Sequence, residues 1–289
     1  MDNISGPDCE VLMPLNEPIP LKEIERSIIK KYRKHLWSKF MKAVKDFKLV
    51  EEGDKVAVAI SGGKDSMLMA KLFQELQRHG DVKFDLEFLV ADPGYHGHIK
   101  KLMIENCEYL NIPIKIFDSG IFKIVDKIAK NYPCYMCARM RRGALYSKAQ
   151  ELGCNKLALG HHFNDVIETI LLNILYTGCF KTMLPKLKST NFKELELIRP
   201  MYYIEEKYIE RFIQNSGIMP LNCACMVAAK RTGNKRYEIK DLIEELSGKI
   251  DNLEINIFRA AQNVNMEAIL GWKKDGKSHS YLDYYDEDV

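Results

Sequence analysis

The stretch "KVAVAISGGKDSMLMAKLF" constrains the fold of this chain more than any other. Its first part, residues 55–60, is a short apolar run that predicts a buried strand, and residues 66–80 show the apolar spacing of a helix. Residues 61–66, the SGGKDS loop, therefore form a strand-to-helix turn. Gly62 and Gly63 let the backbone of this turn approach a ligand closely, because no Cβ stands in the way.

The charges of the SGGKDS loop favour an anion. The helix N-terminus behind the loop carries partial positive charge, and Lys64 adds a full one. Ser61 and Ser66 offer hydroxyl groups, while Asp65 is suited to cap the helix or to hold Mg²⁺ beside phosphates. Adjacent glycines and lysine exclude the spaced GxxxxGK[ST] loop of kinases and GTPases. A tight turn followed by an ordinary helix cap is the alternative.

Further strand and helix patterns alternate along the chain. Strands are predicted at 85–92, 112–118 and 156–160, and helices at 98–111, 137–153 and 164–178. This alternation predicts an α/β fold, a doubly wound parallel sheet with helices on both faces. Ligands of such sheets bind at the carboxyl ends of the strands, where the SGGKDS loop lies.

Helical segments flank this region on both sides. Residues 19–47 predict one long amphipathic helix, and the tail after Cys225 shows helical patterns without strand signals. We therefore expect an N-terminal extension (1–48), an α/β domain (49–220) and a helical C-terminal segment (221–289). Two basic clusters, each either a solvated face or a phosphate-contacting surface, comprise Lys30, Lys31, Arg33, Lys34, Lys39, Lys42 and Lys45, and then Lys230, Arg231, Lys235 and Arg236.

Bulk properties limit the function classes. The formal net charge is only +3, so charge alone does not indicate nucleic acid. The chain has neither a run of about 18 apolar residues nor a secretory signal at its start, and we expect a cytoplasmic protein without membrane contact. In that compartment the eight cysteines are expected to be ligands, nucleophiles or core residues rather than disulfides.

Two cysteine pairs are candidate metal ligands. Cys134 and Cys137 form a CxxC at the start of a predicted helix, which brings two thiols within reach of one metal centre, and Cys223 and Cys225 form a CxC. Structural zinc and a redox dithiol are the alternatives. The CxC matches a zinc ribbon poorly, because that site uses a second CxxC.

The SGGKDS motif resembles the pyrophosphate loop of the ATP pyrophosphatase (PP-loop) superfamily, whose members use ATP to adenylate a carbonyl oxygen. Residues 133–178, with CxxC, RRG, GHH and LLN, resemble the tRNA 2-thiocytidine synthetases, as do residues 49–66 and 197–212. The similarity covers residues 22–225. It implies a PP-loop fold and thiolation of a tRNA pyrimidine, most simply an anticodon-loop cytidine.

The resemblance also implies site residues. Those for ATP are Ala59, Ser61, Gly62, Gly63, Lys64, Asp65, Ser66, Gly160 and His161, with His162 as an alternative nucleotide contact. The implied catalytic residues are Lys64, Asp65, Arg141 and Asp165. Cys134, Cys137 and Cys225 are the implied ligands of a 4Fe-4S cluster, with Cys223 as the alternative third ligand. Arg199 is expected either to bind phosphate or to brace the fold.

The implied cofactors and partners are ATP, Mg²⁺, tRNA and a sulfur donor, either a cysteine desulfurase or inorganic sulfide, with a homodimer possible.

The family pattern GHHxDD reads GHHFND here, so Asn164 replaces the first acid. Three alternatives stay open: a tRNA 2-thiouridine synthetase, a lysidine-type synthetase that needs no cysteines, and a nucleotide-binding or iron–sulfur regulator without turnover.

Overall fold

The computed structural model describes residues 17–121, 133–221, 235–283 and 285, and gives residues 133–138 only their place in a helix. Its strands are β1 Lys55–Ala59, β2 Asp85–Asp92, β3 Ile114–Asp118, β4 Lys156–Ala158, β5 Lys186–Lys188, β6 Glu196–Ile198, β7 Gly271–Lys274 and β8 Lys277–Ser280. Its helices are α1 Leu21–Ile29, α2 Ser38–Asp46, α3 Lys64–His79, α4 Gly97–Tyr109, α5 Pro133–Glu151, α6 Phe163–Thr177, α7 Glu206–Ser216, α8 Lys235–Ser247 and α9 Leu253–Ala260.

Six strands form one sheet in the order β3-β2-β1-β4-β6-β5. All neighbouring pairs are parallel except β5 with β6, so an antiparallel strand closes one edge. The chain runs from β1 outward to β3 and then returns to place β4 on the other side of β1. This reversal creates a topological switch point between β1 and β4, where open α/β sheets bind ligands.

Both faces of the sheet are covered. Alternate residues of a strand point to opposite faces, so Val56 and Val58 belong to one buried cluster and Ala57 to the other. The larger cluster also contains Ile24 of α1 and Phe258 of α9, which shows that both flanking segments pack on the α/β core. The smaller cluster lies under α5. The predicted doubly wound α/β fold is confirmed.

The N-terminal helical region is not one helix. The expected apolar positions are buried at Ile24, Ile28, Tyr32, Leu36, Phe40 and Val44. Because an α-helix has 3.6 residues per turn, side chains spaced four residues apart rotate around its axis by about 40° at each step. A π-helix at Arg33–Trp37 between α1 and α2 supplies a wider turn, which keeps these side chains on the core side. The prediction of a continuous helix over 19–47 is therefore wrong.

The C-terminal tail contains strands that the sequence reading missed. Strands β7 and β8 pair as an antiparallel hairpin. Asp275 and Gly276 join them with φ angles of 51° and 77°, as a two-residue hairpin turn requires. The dipeptide Asp-Gly is the signal that could have revealed this hairpin, and the expectation of a purely helical tail is wrong.

None of the helices in the described ranges is both long and apolar enough to cross a membrane.

A buried lysine ties the N-terminal region to α3, the helix that follows the SGGKDS loop. The Lys71 side chain is fully buried, and its ammonium donates to Glu25 Oε1 at 2.7 Å, Gln74 Oε1 at 2.7 Å and the Leu110 carbonyl at 3.0 Å. Burial lowers the pKa of Lys71 although Glu25 opposes the shift. This network fixes α3 against α1 and the end of α4.

We expect Lys71→Ala to lower the free energy of unfolding by about 3 kcal/mol, because it leaves buried acceptors without their donor. Urea denaturation measures this change. Lys101→Ala is the matched control, since the Lys101 side chain is 77% exposed, and should cost less than about 0.5 kcal/mol. A loss below about 1 kcal/mol for Lys71→Ala would contradict the role of this network.

Candidate active site

The SGGKDS loop connects β1, which ends at Ala59, to the first turn of α3. The Ser66 hydroxyl donates to the Gly63 carbonyl at 2.9 Å, and the Ser61 N–H donates to Ser66 Oγ at 3.2 Å. These bonds close the loop on itself. The first N–H groups of α3 have no acceptor within the helix, so they are available to an anion at this point.

Gly62 sits against Leu221. Its φ is +85°, and a Cβ added to it would lie 2.7 Å from Leu221 Cδ1. The Leu221 N–H donates to the Gly62 carbonyl at 2.9 Å. The segment that carries Cys223 and Cys225 therefore leaves the described chain directly beside the SGGKDS loop.

The turn after β4 meets the loop from the other side of the switch point. A Cβ on Gly160 would lie 3.4 Å from Asp65 Cβ. The His162 N–H donates to Asp165 Oδ2 at 2.8 Å and caps α6. The His162 ring Nε2 lies 3.6 Å from Asp165 Oδ2 and 3.8 Å from Asp65 Oδ1. Two acids and one imidazole thus face each other across the switch point.

These groups line a cavity of about 270 Å³, here called the carboxylate cavity. Its lining residues are Lys64, Asp65, His162, Asp165, Glu168, Glu206, Arg236, Tyr237 and Lys240. Lys64 Nζ lies 2.9 Å from Glu206 Oε1 and 3.4 Å from Asp65 Oδ1. The lining thus combines lysine, arginine and carboxylate side chains, as expected for a site that accepts a charged ligand.

The environment splits the acids of the carboxylate cavity into two kinds. Burial raises the pKa of Asp65 although Lys64 and His162 oppose the shift. Burial acts in the same direction on Glu206, but Lys64 and Lys240 overcome it and lower the pKa of Glu206 to about 2. Carboxyl groups with opposite shifts in one cavity are typical of a functional site.

Several buried polar atoms at this edge of the sheet have no hydrogen-bond partner among the described residues. They are Asp65 Oδ1, Nδ1 of His161, Nδ1 of His162, and Arg199 Nε. A buried polar atom without a partner costs free energy, and two of these residues, Asp65 and His162, line the carboxylate cavity, where a ligand can supply the missing bonds. ATP, with its phosphate oxygens and ribose hydroxyls, offers both donors and acceptors.

Comparison with known proteins agrees with this geometry. Residues 32–220 match the family model of the PP-loop domain. The tRNA-cytidine(32) 2-sulfurtransferase of Syntrophotalea carbinolica is 37% identical over 231 residues, which is 79% of this chain and 88% of the relative. The enzyme of that name from Klebsiella pneumoniae is 36% identical over 257 residues, 86% of this chain and 80% of the relative.

The chain belongs to the tRNA-cytidine(32) 2-sulfurtransferase family. The U34-tRNA thiolase NcsA from Methanococcus maripaludis, solved with its 4Fe-4S cluster, has a TM-score of 0.63 at 24% identity and covers 82% of this chain and 80% of its own. That likeness concerns the fold.

The structure brings together part of the predicted family site. Lys64, Asp65 and Asp165 line the carboxylate cavity, whereas His161 does not and its neighbour His162 does. Arg141 donates to the Tyr95 hydroxyl at 2.9 Å, just beyond β2, and lies outside this lining. The side chains of Cys134 and Cys137, and all of Cys223 and Cys225, lie outside the described residues.

Arg199 follows β6 and is buried, with its guanidinium bonded to the Leu184 carbonyl. Burial and the nearby Arg142 lower the pKa of Arg199 to about 10. This contact is of the bracing kind, one of the two options expected from the sequence, and Arg199 Nε has no hydrogen-bond partner among the described residues.

Asn164 departs from the family pattern and lies outside the cavity lining. Its side-chain oxygen accepts from the Glu206 N–H at 2.9 Å, and its amide nitrogen lies 3.5 Å from Glu254 Oε1. An amide suits both contacts, because an aspartate here would place a second negative charge beside Glu254. Asn164 thus joins the start of α7 to α9, and Asp165 remains the acid of the motif that faces the cavity.

Sequence reasoning missed Glu168, Glu206 and Lys240 and assigned Arg236 only to a basic cluster. Glu168 lies one helical turn after Asp165, a spacing that could have indicated it. Glu206 is 142 residues from its partner Lys64, and no local pattern reports such a distance.

We expect Gly62→Ala to weaken ATP binding at least tenfold, because the new Cβ both strains a positive φ and displaces Leu221 from the loop. Equilibrium dialysis of ATP measures this change. Gly53→Ala is the matched control, since Gly53 has a φ of +82° with nothing within 4 Å, and should cost about 1 kcal/mol of stability with unchanged ATP affinity. Equal ATP affinity in both variants would contradict the contact's importance.

The buried His161 predicts a pH dependence of stability. Burial lowers the pKa of His161 to about 4, below the value near 6.5 of an unfolded chain. Between these two values the unfolded chain binds the extra proton, so stability falls as the pH falls from about 6.5 to about 4.

We expect His161→Gln to make the unfolding free energy less dependent on pH across this window. Urea denaturation at pH 7 and pH 5 measures the difference. His98→Gln, at an exposed position, is the matched control and should reproduce the pH slope of the unchanged protein. A His161 variant with that same slope would contradict the prediction.

Proposed function

We propose that this protein thiolates cytidine 32 of tRNA in an ATP-dependent reaction. The observation that carries the proposal is the meeting, at one switch point, of the SGGKDS loop, the carboxylate cavity and the start of the cysteine-bearing segment after Leu221. Family membership supplies the substrate, since the relatives are named for that cytidine. ATP use, binding of the target base and sulfur transfer are all assigned to this one edge of the sheet.

The first step is adenylation of the base. The O2 atom of cytosine attacks the α-phosphorus of ATP, a P–O bond to the β-phosphate breaks, and diphosphate leaves. The helix N-terminus of α3 and Lys64 balance the phosphate charge that develops. Mg²⁺ needs only one or two carboxylates besides the phosphates, and Asp65 and Asp165 are the acids of the cavity that we assign to it.

The second step replaces oxygen by sulfur. A sulfide sulfur bonds to C2 of the base, the bond from C2 to the adenylated oxygen breaks, and AMP leaves with that oxygen. The reaction is neutral in electrons when the donor supplies sulfur at the oxidation level of sulfide. His162 lies between Asp65 and Asp165 and is placed to orient the adenylated base.

We assign Cys134, Cys137 and Cys225 to a 4Fe-4S cluster, with Cys223 as the alternative to Cys225. The chain supports this in two ways: Cys134 and Cys137 lie in the first turn of α5, and Cys223 follows Leu221 by two residues. An extended chain spans at most about 3.6 Å per residue, so that segment starts close to the loop. When bound, a cluster with three cysteine ligands offers an open iron that can carry sulfide.

The tRNA is proposed to contact the basic surface of the N-terminal region. Lys30, Lys31, Arg33, Lys34, Lys42 and Lys45 are exposed there. Such side chains bind the phosphate backbone without reading sequence. The proposed sulfur source is inorganic sulfide, or the persulfide of a cysteine desulfurase after a thiol has reduced its outer sulfur by two electrons to sulfide. A cytoplasmic location and a homodimer complete the proposal. The relatives' names favour cytidine over the uridine and lysidine alternatives.

The proposal predicts that anaerobically purified protein holds about four irons and converts cytidine 32 of unmodified tRNA to 2-thiocytidine, with one AMP per thiolated base. Cys134→Ala should lose the iron and more than 99% of the thiolation while ATP binding persists. Iron and sulfide analysis, nucleoside mass spectrometry of the tRNA and AMP assay measure these outcomes.

Cys179→Ala is the control, because Cys179 is an exposed free thiol outside the predicted ligand set. It should retain full iron content and activity. A Cys134→Ala variant that thiolates tRNA normally, or an iron-free protein that attaches lysine to tRNA, would refute the proposal.

A further inference from the structure

Helix α8 lies beyond residues 32–220, the range that matches the PP-loop domain, yet three of its side chains line the carboxylate cavity. These side chains are Arg236, Tyr237 and Lys240, of which Arg236 and Lys240 carry positive charge. Of the lysines and arginines that line the cavity in the described part of the chain, only Lys64 comes from the PP-loop domain itself. Most of the positive charge of the lining is therefore supplied by the C-terminal segment.

Arg236 bridges two acids of α6. Its terminal nitrogen Nη2 lies 2.6 Å from Asp165 Oδ1, and its Nε lies 2.7 Å from Glu168 Oε2. A guanidinium can satisfy two carboxylates at once because its donors are fixed in a fork. Without it, two carboxylates one helical turn apart would repel each other, and Asp165 would lose the cationic partner of its Oδ1 and keep only the His162 N–H on Oδ2.

Lys240 acts on the lysine of the SGGKDS loop through a shared acid. Glu206 accepts from Lys64 Nζ at 2.9 Å with one oxygen and from Lys240 Nζ at 2.8 Å with the other. Glu206 therefore competes with any phosphate for Lys64. A second cation on Glu206 weakens that competition, because the acid keeps a partner when Lys64 turns to a ligand.

The charge balance of the cavity shows why α8 matters to an anion. Four carboxylates line it, from Asp65, Asp165, Glu168 and Glu206. If Arg236 and Lys240 were absent, Lys64 would be the one lysine or arginine among the described lining residues, and the four carboxylates would repel the phosphates of ATP. Arg236 and Lys240 offset two of the four negative charges at close range.

We infer that α8 completes the ATP site: Arg236 is a positioning residue that holds Asp165 and Glu168, and Lys240 holds Glu206 so that Lys64 can bind phosphate. This inference rests on the proposed use of ATP. It separates these two residues from Lys235, their neighbour on α8, whose ammonium lies over the Tyr176 ring at 4.4 Å from its centroid. The alternative is that all three bind the RNA backbone, as the sequence cluster first indicated.

ATP binding in the absence of tRNA tests the inference. Equilibrium dialysis with ATP and Mg²⁺ is applied to the full-length protein and to Arg236→Gln, Arg236→Lys, Lys240→Gln, Lys235→Gln and Lys249→Gln. We expect Lys240→Gln and Arg236→Gln to raise the Kd for ATP at least tenfold, and Lys235→Gln and Lys249→Gln to change it less than twofold. Lys249 is a suitable control because, among the described residues, its ammonium pairs with the exposed Glu245 near the end of the same helical region and does not line the cavity.

Arg236→Lys distinguishes positioning from charge. It keeps the positive charge but loses the fork, so it should restore the Kd for ATP to within about threefold while the thiolation rate constant kcat stays at least tenfold reduced. If Arg236 only stabilised the fold, its variants would shift the unfolding midpoint, and Arg236→Lys would not reduce kcat while the Kd for ATP is restored. Lys240 is half-exposed, so its variant is expected to fold even where Arg236→Gln does not.

Two outcomes overturn the inference. One is an unchanged Kd for ATP in both Lys240→Gln and Arg236→Lys together with unchanged kcat. The other is an equal loss of tRNA affinity in the Lys235, Arg236 and Lys240 variants without any change in ATP binding, which would make α8 an RNA surface. Failure of the proposed function is distinct, because the unchanged protein would then bind no ATP or thiolate no tRNA.

Discussion

The contact between Gly62 and Leu221 is the constraint on which the rest of the site depends. A glycine at positive φ lets the SGGKDS loop turn toward the helix N-terminus, and the missing side chain leaves room for Leu221 against its backbone. One residue therefore shapes the phosphate loop and also fixes the start of the segment that carries Cys223 and Cys225. A side chain at position 62 would strain the positive φ and would displace the end of the Leu221 side chain that packs there.

Charge balance is the second constraint, and it acts over long sequence distances. Lys64, Asp165 and Glu206 come from three parts of the chain, and each is neutralised by a partner from another part. Partly buried charges are costly unless they are paired, so these contacts hold the elements together as well as preparing an anion site. Glu206 is shared between Lys64 and Lys240, so it keeps one cationic partner when Lys64 turns to a phosphate.

Much of the fold was predictable because its signals are local. The apolar run at β1, the glycines of the loop and the helical spacing of α3 lie within a few residues of each other, and β2 was predicted with its observed bounds at Asp85–Asp92. Glu206 and Lys240 were not predictable, since their roles arise only when the chain brings distant segments together. The π-helix at Arg33–Trp37 was missed because a four-residue repeat fits an α-helix nearly as well over short stretches.

The two ends of the segment 222–234 are anchored at the same place. Leu221 is bonded to the SGGKDS loop, and Arg236, two residues after the segment ends, is bonded to Asp165 and Glu168. Of the described residues that flank this segment, Leu221 is therefore held against the SGGKDS loop and Arg236 lines the cavity assigned to ATP. A reaction that adenylates O2 of a base and then bonds sulfur to C2 needs both events within one site, because water can hydrolyse an adenylated base that leaves it. Asn164, which departs from the family pattern, fits this arrangement. Its contact with Glu254 joins α9 to α6, the helix to which Arg236 joins α8.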